Sequence, residues 1–231
     1  MIKYLLVFVA IVGMAIMFYP LVEDFSSQQR LNPLAETYVS GSVTELNMPN
    51  TVTAMVVSYR GLDTLGEVTV LFLATAGVGF LLSRKRLKEG RKRQGSEFLQ
   101  TGAAFLSPLI VIFGIYIFTH GHLSPGGGFQ GGVVIASAIL LMVMANVSFR
   151  FSHALLHFSE SLSGLGYVVM GLLGLVLIGV SSFLDPRYLP GGVYLSLFSS
   201  GAVPVIYSFI GIKVGAELSS VIDSLHEEGE D

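Results

Sequence analysis

The chain has 231 residues, of which 52% are hydrophobic and only 13% are charged, so it lacks the polar surface that a water-soluble domain of this length needs. Its formal net charge of −3 is near neutral and indicates no nucleic-acid partner. Cysteine is absent, which excludes disulfides, thiolate metal ligands and thiol catalysis. The composition predicts an integral membrane protein.

The apolar residues are grouped in six stretches, each close to the roughly 20 residues that a helix needs to cross a bilayer. The first stretch resembles a secretory signal, but its apolar run is long, and Phe18, Tyr19 and Pro20 make a poor cleavage site, so we expect a retained span. The predicted fold class is all-α, a multi-pass membrane protein with two plus four helices. The predicted spans are residues 3–22, 62–83, 100–119, 131–148, 164–183 and 197–218.

Basic residues are concentrated in the linker between the second and third predicted spans. Positively charged loops stay in the cytoplasm, so this linker and both termini are predicted to be cytoplasmic. The linker is also the predicted boundary between a two-span unit, residues 1–95, and a four-span unit, residues 96–231. Its basic residues are Arg84, Lys85, Arg86, Lys88, Arg91, Lys92 and Arg93.

The stretch 52–83 is longer than one span requires, and it contains Gly61 and Gly66. A short helix leading into the membrane and a single long tilted helix both account for this length. Three charged residues, Arg60, Asp63 and Glu67, recur there at helical spacings and share one face.

Ionisable groups at membrane depth are costly and usually face protein or water, so Arg60, Asp63 and Glu67 are candidates for an ion path. Glu67 precedes Arg84 by seventeen positions, about 25 Å along a helix, which places it below the outer boundary. The alternative is that all three anchor the helix in the outer headgroup zone.

The most unusual segment is HLSPGGGFQGG, residues 122–132, in which Pro125, Gly126, Gly127 and Gly128 follow His122. Its glycines fit a dinucleotide-binding pattern formally, but no strand precedes them and no acid follows at the required distance. A broken helix or re-entrant turn suits such a backbone. His120 and His122, two residues apart, would not share a helical face, and we expect no metal there.

Two further polar groups recur at helical spacing. His153, His157 and Glu160 fit the polar face of a short interfacial helix better than a metal site. Lys213 and Glu217 form a same-face pair, which we place near the cytoplasmic end of the last span, where an ordinary ion pair is as good an interpretation as a functional one. Nothing in the chain has the pattern of an autonomous enzyme, and no catalytic residue is predicted.

Two motifs resemble a known family. HLSPGGGFQGG, with IGIKVGAEL at residues 210–218, resembles the B subunit (MnhB or MrpB) of Mrp-type multisubunit sodium/proton antiporters over residues 98–222. YRGLDTLGEVTV, residues 59–70, is similar to the C-terminal tail of the antiporter's large A subunit, which in related membrane-bound hydrogenases is a separate E subunit (MbhE) next to an F subunit (MbhF) of the MnhB type. The two pieces look fused in this chain.

The resemblance implies a subunit without an active site in the cell membrane of a prokaryote. It would help to form a sodium path in an Mrp antiporter or in an Mrp-linked respiratory complex, such as a membrane-bound hydrogenase or sulfane reductase. Asp63 and Glu67 match acids expected in that path, and His122 and Gly126 to Gly128 match a motif expected to shape the external side. The alternative is a scaffold that joins antiporter-like subunits to a redox module without ion contact.

The resemblance also implies partners and transported species. The implied partners are A-, C-, D-, E-, F- and G-like antiporter subunits, hydrogenase or other redox subunits, and lipid. Sodium ions and protons are the implied transported species, and no cofactor is implied for this chain.

Overall fold

The structure is a computed structural model that describes residues 2–23, 30–83, 95–146, 148–149, 152–178 and 183–227. The chain forms two compact units, Met1–Thr37 and Tyr38–Asp231. The predicted basic linker, 84–93, lies outside the described residues. The predicted boundary at 95/96 falls just after it and stays a prediction.

Most of the described residues are helical, and six of the helices are long and apolar enough to cross a membrane. This confirms the predicted all-α class and the number of spans. The six are α1 (Ile2–Glu23), α4 (Gly61–Ser83), α5 (Glu97–Thr119), α6 (Gly128–Ala145), α7 (His153–Ile178) and α8 (Val203–Glu227). Shorter elements are α2 (Pro33–Thr44), α3 (Thr51–Thr53), a π-helix (Ala54–Tyr59) and a 3-10 turn (Pro186–Tyr188).

Within Tyr38–Asp231, α8 is the central helix and packs against α4, α5, α6 and α7. Its apolar face, including Ile206, Ile210 and Val214, is buried. The helices of this unit alternate in direction. One end of the bundle, the loop end, therefore holds residues 38–60, 119–128 and 183–202, and the opposite end, the terminal end, is where α4 and α8 finish.

The bounds of α7 and α8 differ most from the predicted spans. α7 begins at His153 rather than 164, so His153, His157 and Glu160 belong to its first turns and do not form a separate interfacial helix. Gly201 has φ +61°, and the chain turns there before α8 begins at Val203 rather than at 197. Because residues 219–227 continue α8, Lys213 is the eleventh of its 25 residues.

The segment that leads into the second span is a broken helix rather than one continuous tilted helix. Asn50 caps α3 by accepting hydrogen bonds from the Val52 and Thr53 amides, and a π-helix follows directly. The break is at Arg60, with φ −125° and ψ 39°, after which α4 runs as a regular α-helix. This corresponds to the predicted short helix leading into the membrane.

Candidate functional site

The charged residues predicted for an ion path lie where α4 begins. Arg60 ends the π-helix, Asp63 is in the first turn of α4, and Glu67 follows one turn later. Arg60 forms an ion pair with Asp63, and both side chains are about half exposed (58% and 48%). Salt bridges this exposed contribute little stability, so the pair positions Asp63 more than it strengthens the fold.

Glu67 lies about 9 Å along α4 from its first residue, at the expected helical rise. The Glu67 side chain is exposed on the surface of this chain, near the exposed apolar residues Val70 and Phe72. Tyr167 of α7 and Tyr207 of α8 lie within electrostatic range of the Glu67 carboxylate. The tertiary structure therefore places this acid on an apolar surface of α4 that the other helices of Tyr38–Asp231 do not cover.

A hydrogen-bond network holds the loop end together, and we call it the loop-end network. Its members are Asn50, Thr53, Gly121, Ser124 and Tyr207. The Asn50 amide donates to the carbonyl oxygens of Gly121 and Ser124, at 2.8 and 2.9 Å. The Thr53 hydroxyl donates to the Gly121 carbonyl at 2.7 Å and accepts from the Tyr207 hydroxyl at 3.0 Å. The network links the segment before α4 to the glycine-rich loop and to α8.

His122 of the glycine-rich loop is completely buried, whereas Pro125 is exposed. The His122 Nε2 atom lies 3.4 Å from the Ser196 carbonyl oxygen, and Nδ1 has no hydrogen-bond partner among the described residues. Burial lowers the pKa of His122, against a smaller opposing effect of the Ser196 carbonyl. A neutral, enclosed imidazole fits the predicted structural role.

The glycines of this loop allow close approach between helices. Gly127 has φ +152°, a conformation that favours glycine, and it packs against the Tyr207 ring. Gly126 lies next to Ile117, and Gly128 begins α6 against Ile210. In place of the predicted broken helix or re-entrant turn, the segment forms a tight turn between two separate helices, α5 and α6, packed on α8.

The sequence did not single out a second charged cluster at the loop end. Arg187 donates to the buried Asp185 carboxylate, and the Tyr59 hydroxyl donates to Glu45 at 3.3 Å. Burial, followed by the charge of Glu45, raises the pKa of Tyr59. The Glu45–Tyr59 pair and the Asp185–Arg187 pair are far apart in the chain, so only the fold brings the two pairs together.

Lys213 and Glu217 form a buried ion pair, with Lys213 Nζ 2.5 Å from Glu217 Oε1. Their side chains are 11% and 1% exposed. The prediction placed this pair near the cytoplasmic end of the last span, and that location is wrong. The ammonium group lies 5.3 Å from the centre of the Phe72 ring and close to Gly164, which are the twelfth residues of α4 and α7, so the pair is at mid-depth in the bundle.

A cavity of about 200 Å³ extends from this ion pair toward the terminal end, between α4, α7 and α8. Glu217 lines its inner part, and Glu160 and the exposed His157 line it nearer the surface. His157 Nδ1 and Glu160 Oε2 are 3.9 Å apart. In the described part of the chain, no three His, Asp or Glu residues are grouped as metal ligands.

Comparisons with known proteins agree with the resemblance found in the sequence. The MbhE family model, which represents the E subunit of MBH, matches residues 2–93, and a model described as "Domain related to MnhB subunit of Na+/H+ antiporter" matches residues 98–220. An uncharacterized protein of Methanocaldococcus jannaschii is 30% identical over 220 residues, covering 82% of this chain and 84% of its own length. The B subunit of the Na(+)/H(+) antiporter of Bacillus subtilis is 37% identical over 89 residues, which are 37% of this chain and 57% of that protein.

Two solved structures are similar to almost the whole chain. One is a chain of the membrane-bound sulfane sulfur reductase, an archaeal respiratory membrane complex, with a TM-score of 0.82 and 41% identity over 97% of this chain and 98% of that chain. The other belongs to the Mrp complex of Dietzia sp. DQ12-45-1b, with a TM-score of 0.77 and 25% identity over 96% of this chain and 26% of that longer chain. With the MnhB-related model matching more than half of its residues, the chain belongs to the family of domains related to the MnhB subunit of Na+/H+ antiporters.

Proposed function

We propose that this chain is a multi-pass membrane subunit of an Mrp-type cation/proton antiporter module, in which Asp63 and Glu67 contribute carboxylates to a sodium path. The module is a stand-alone antiporter or part of a respiratory complex. The chain has no active site of its own, and sodium ions and protons are the transported species. The family match and the two similar complexes support this assignment.

The observation that carries the proposal is the exposure of Glu67 on α4. A carboxylate on an apolar spanning helix is costly in lipid, so it must face another protein or water. The other helices of Tyr38–Asp231 leave it uncovered, as they leave the neighbouring residue Val70. A neighbouring protein that covers this face would enclose Glu67 in a polar site between two chains.

The chemistry of the pair Asp63 and Glu67 suits a dehydrated monovalent cation. Acidic side chains are the groups that cation pathways use to replace part of an ion's hydration shell. Arg60 holds the Asp63 carboxylate at the start of α4, which leaves Glu67, one turn deeper, outside that ion pair. Asp63 would receive the ion at the loop end, and Glu67 would bind it within the span.

The proposed partners are the other Mrp-type subunits, with redox subunits in a respiratory complex. We assign residues 1–95 to an MbhE-like part and residues 96–231 to an MnhB-like part, as the two matched ranges suggest. The positive-inside rule supports placing both termini in the cytoplasm and the loop end outside.

The ion-path assignment is tested by Glu67→Gln and Asp63→Asn in the complete complex, reconstituted in liposomes. We expect Glu67→Gln to lower radioactive sodium uptake by about tenfold or more, since it removes the charge and keeps the shape, and Asp63→Asn to have a smaller effect because Arg60 remains nearby. The matched control is Glu97→Gln, an exposed acid in the first turn of α5.

Subunit composition of each variant complex, measured by mass spectrometry, separates transport from assembly. Wild-type sodium uptake by a fully assembled Glu67→Gln complex would rule out the ion-path role. If sodium uptake decreases only in proportion to the subunits missing from the complex, the result would favour the scaffold alternative.

A further inference from the structure

The buried ion pair at the centre of α8 is not explained by the sodium path. Lys213 and Glu217 are 11% and 1% exposed at mid-depth, whereas the acids of α4 are on the outer surface of this chain near the loop end. Removing two charges from water is costly, and a well-packed apolar pair is often as stable. A buried ionic pair inside a spanning helix is therefore a candidate functional site.

Within the described residues, the Glu217 carboxylate of this ion pair has unused hydrogen-bond acceptor sites. Glu217 Oε1 contacts Lys213 Nζ, but neither Glu217 oxygen accepts a hydrogen bond from a described hydroxyl or amide. Glu217 lines the inner wall of the cavity of about 200 Å³, where both of its carboxylate oxygens are buried. Ser220 and Ser224, one and two turns further along α8, line the same cavity and supply hydroxyl groups along it.

The cavity runs to the protein surface at the terminal end. Glu160, which is 23% exposed, and His157, which is 72% exposed, lie at its outer part, 3.9 Å apart. A volume of about 200 Å³ holds several water molecules, each of which occupies about 30 Å³ in the liquid. The cavity between α4, α7 and α8 is thus large enough to hold water from the terminal end to the inner wall that Glu217 lines.

From this geometry we infer that Glu217 is a proton-exchange site, reached by water from the terminal end, with Lys213 as its fixed counter-charge. Glu217 Oε2 takes a proton from a hydronium ion in the cavity: one O–H bond of the hydronium breaks and leaves water, an O–H bond forms on the carboxyl group, and Glu217 becomes neutral while Lys213 keeps its proton. The reverse step returns the proton to the cavity. Each protonation raises the net charge of the pair by one, at the depth where α4, α7 and α8 meet, and the reverse step lowers it again.

A proton fits this site better than a sodium ion. The Lys213 ammonium group already occupies one Glu217 oxygen at 2.5 Å and repels a second cation placed there, whereas a proton needs only one free oxygen lone pair. The other titratable groups are His157 and Glu160 of α7 and, further toward the terminal end of α8, Asp223 and His226. The α4 residues that line the cavity are Phe72, Thr75, Ala76 and Gly79, which carry no charge.

The test is proton flux through the complete complex in liposomes that contain a trapped pH-sensitive dye, driven by a sodium gradient. We expect Glu217→Gln to slow the pH change by about tenfold or more, because the exchanging carboxylate is lost. Glu217→Asp should restore part of the flux. An assembled Glu217→Gln complex with wild-type proton flux would overturn the proposal.

Removing one partner of a buried pair destabilises a protein strongly, so a second variant removes both charges. Lys213→Leu combined with Glu217→Leu leaves no uncompensated charge and should assemble. We expect the double variant to slow proton flux by about tenfold or more, as Glu217→Gln does. If it conducts protons at the wild-type rate, the pair has only a structural role and the inference is wrong.

A third variant tests the route without touching the pair. Gly79 lines the cavity, and a Cβ atom added there meets no atom within 4 Å, so Gly79→Leu introduces an apolar side chain at the cavity wall. Gly77→Leu on the same helix is the matched control, since Gly77 also faces open space but does not line the cavity. We expect Gly79→Leu to slow proton flux about threefold or more by displacing water, and Gly77→Leu to leave it unchanged. Equal flux in the two variants would contradict a water route.

The result of the proton-flux test can be distinguished from the result of the sodium-path test. Sodium uptake by Glu67→Gln reports on the α4 site, and proton flux through the Gly79→Leu complex reports on the cavity. A normal Glu67→Gln complex together with a blocked Gly79→Leu complex would remove the proposed sodium role and keep the proton site.

Discussion

Thr53 is the central residue of the loop-end network because its hydroxyl donates to the Gly121 carbonyl and accepts from the Tyr207 hydroxyl. Thr53 is 1% exposed, so its hydroxyl group cannot form hydrogen bonds with water instead. Its neighbour His122 is equally enclosed, but with one ring nitrogen left without a partner among the described residues. A buried, half-satisfied imidazole is tolerated when it stays neutral, which couples this loop to pH.

Protonation of His122 should therefore make the folded protein less stable at acidic pH. Burial lowers the pKa of His122 in the folded protein below its ordinary value of 6.5. As the pH falls below about 6.5, the unfolded chain binds a proton that the folded chain resists, so the free energy of unfolding decreases until the pH is below the lowered pKa. We expect the thermal unfolding temperature of the purified protein to decrease over this range.

The control for this prediction is His122→Asn, which cannot titrate. Its unfolding temperature should be lower than that of the wild type at neutral pH, but it should depend less on pH between about 6.5 and 5. Parallel pH profiles of the two proteins would show that another group is responsible.

At the scale of the helices, small residues decide how closely α5, α6 and α8 pack. The Gly131 backbone lies against the Gly114 carbonyl and Phe118, and the Gly132 backbone lies against Val214 and Gly211. Without side chains at these positions, the helix backbones approach closely, which is how membrane helices gain packing energy in the absence of a hydrophobic driving force.

Gly131→Ala should destabilise this packing. A Cβ atom there would be 2.6 Å from the Gly114 carbonyl oxygen, which is backbone and cannot move without shifting α5. We expect a loss of about 1–3 kcal/mol, measured as a lower unfolding temperature. Gly102→Ala on α5 is the matched control, because no atom lies within 4 Å of a Cβ added there. An equal effect of both substitutions would show that helix propensity, not packing, is measured.

The break between the π-helix and α4 also belongs to this scale. It lies at Arg60, directly before the acids of the proposed sodium path, and π-helical turns are frequent at functional sites. The segment is fixed on one side by the Asn50 cap and the Thr53 hydroxyl, so the start of α4 has a defined position relative to α8. The position of Asp63 and Glu67 thus depends on a local irregularity that hydrophobic periodicity does not reveal.

For the whole molecule, the absence of cysteine makes the orientation directly testable. Val193→Cys places a thiol in the exposed loop between α7 and α8, at the loop end, and Ser148→Cys places one between α6 and α7, at the terminal end. With both termini inside, a membrane-impermeant maleimide added to intact cells should label Val193→Cys and leave Ser148→Cys unlabelled until the cells are opened. The opposite labelling pattern would invert the topology.

Much of the architecture was predictable from local sequence. Length and hydropathy predict the six apolar helices, because the bilayer imposes both on each helix separately. The bounds were less predictable, as α7 and α8 show. α8 begins after a turn at Ser200 and Gly201, both with positive φ, inside a stretch that remains mostly apolar and small. The error mattered, since it placed Lys213 near an end of its helix instead of at mid-depth.

The sequence by itself determined the all-helical membrane class, the family and the spacing of the acids on α4, because composition, motifs and helical periodicity are properties of short segments. Only the tertiary structure decided that Glu67 is exposed, that His122 is enclosed and that Lys213 and Glu217 are buried next to a cavity. Burial depends on which faces of distant helices meet, and those faces are chosen by backbone contacts between small residues such as Gly131 and Gly114. The burial of a charged residue is therefore a property of the packed bundle, and not of the helix that carries the charge.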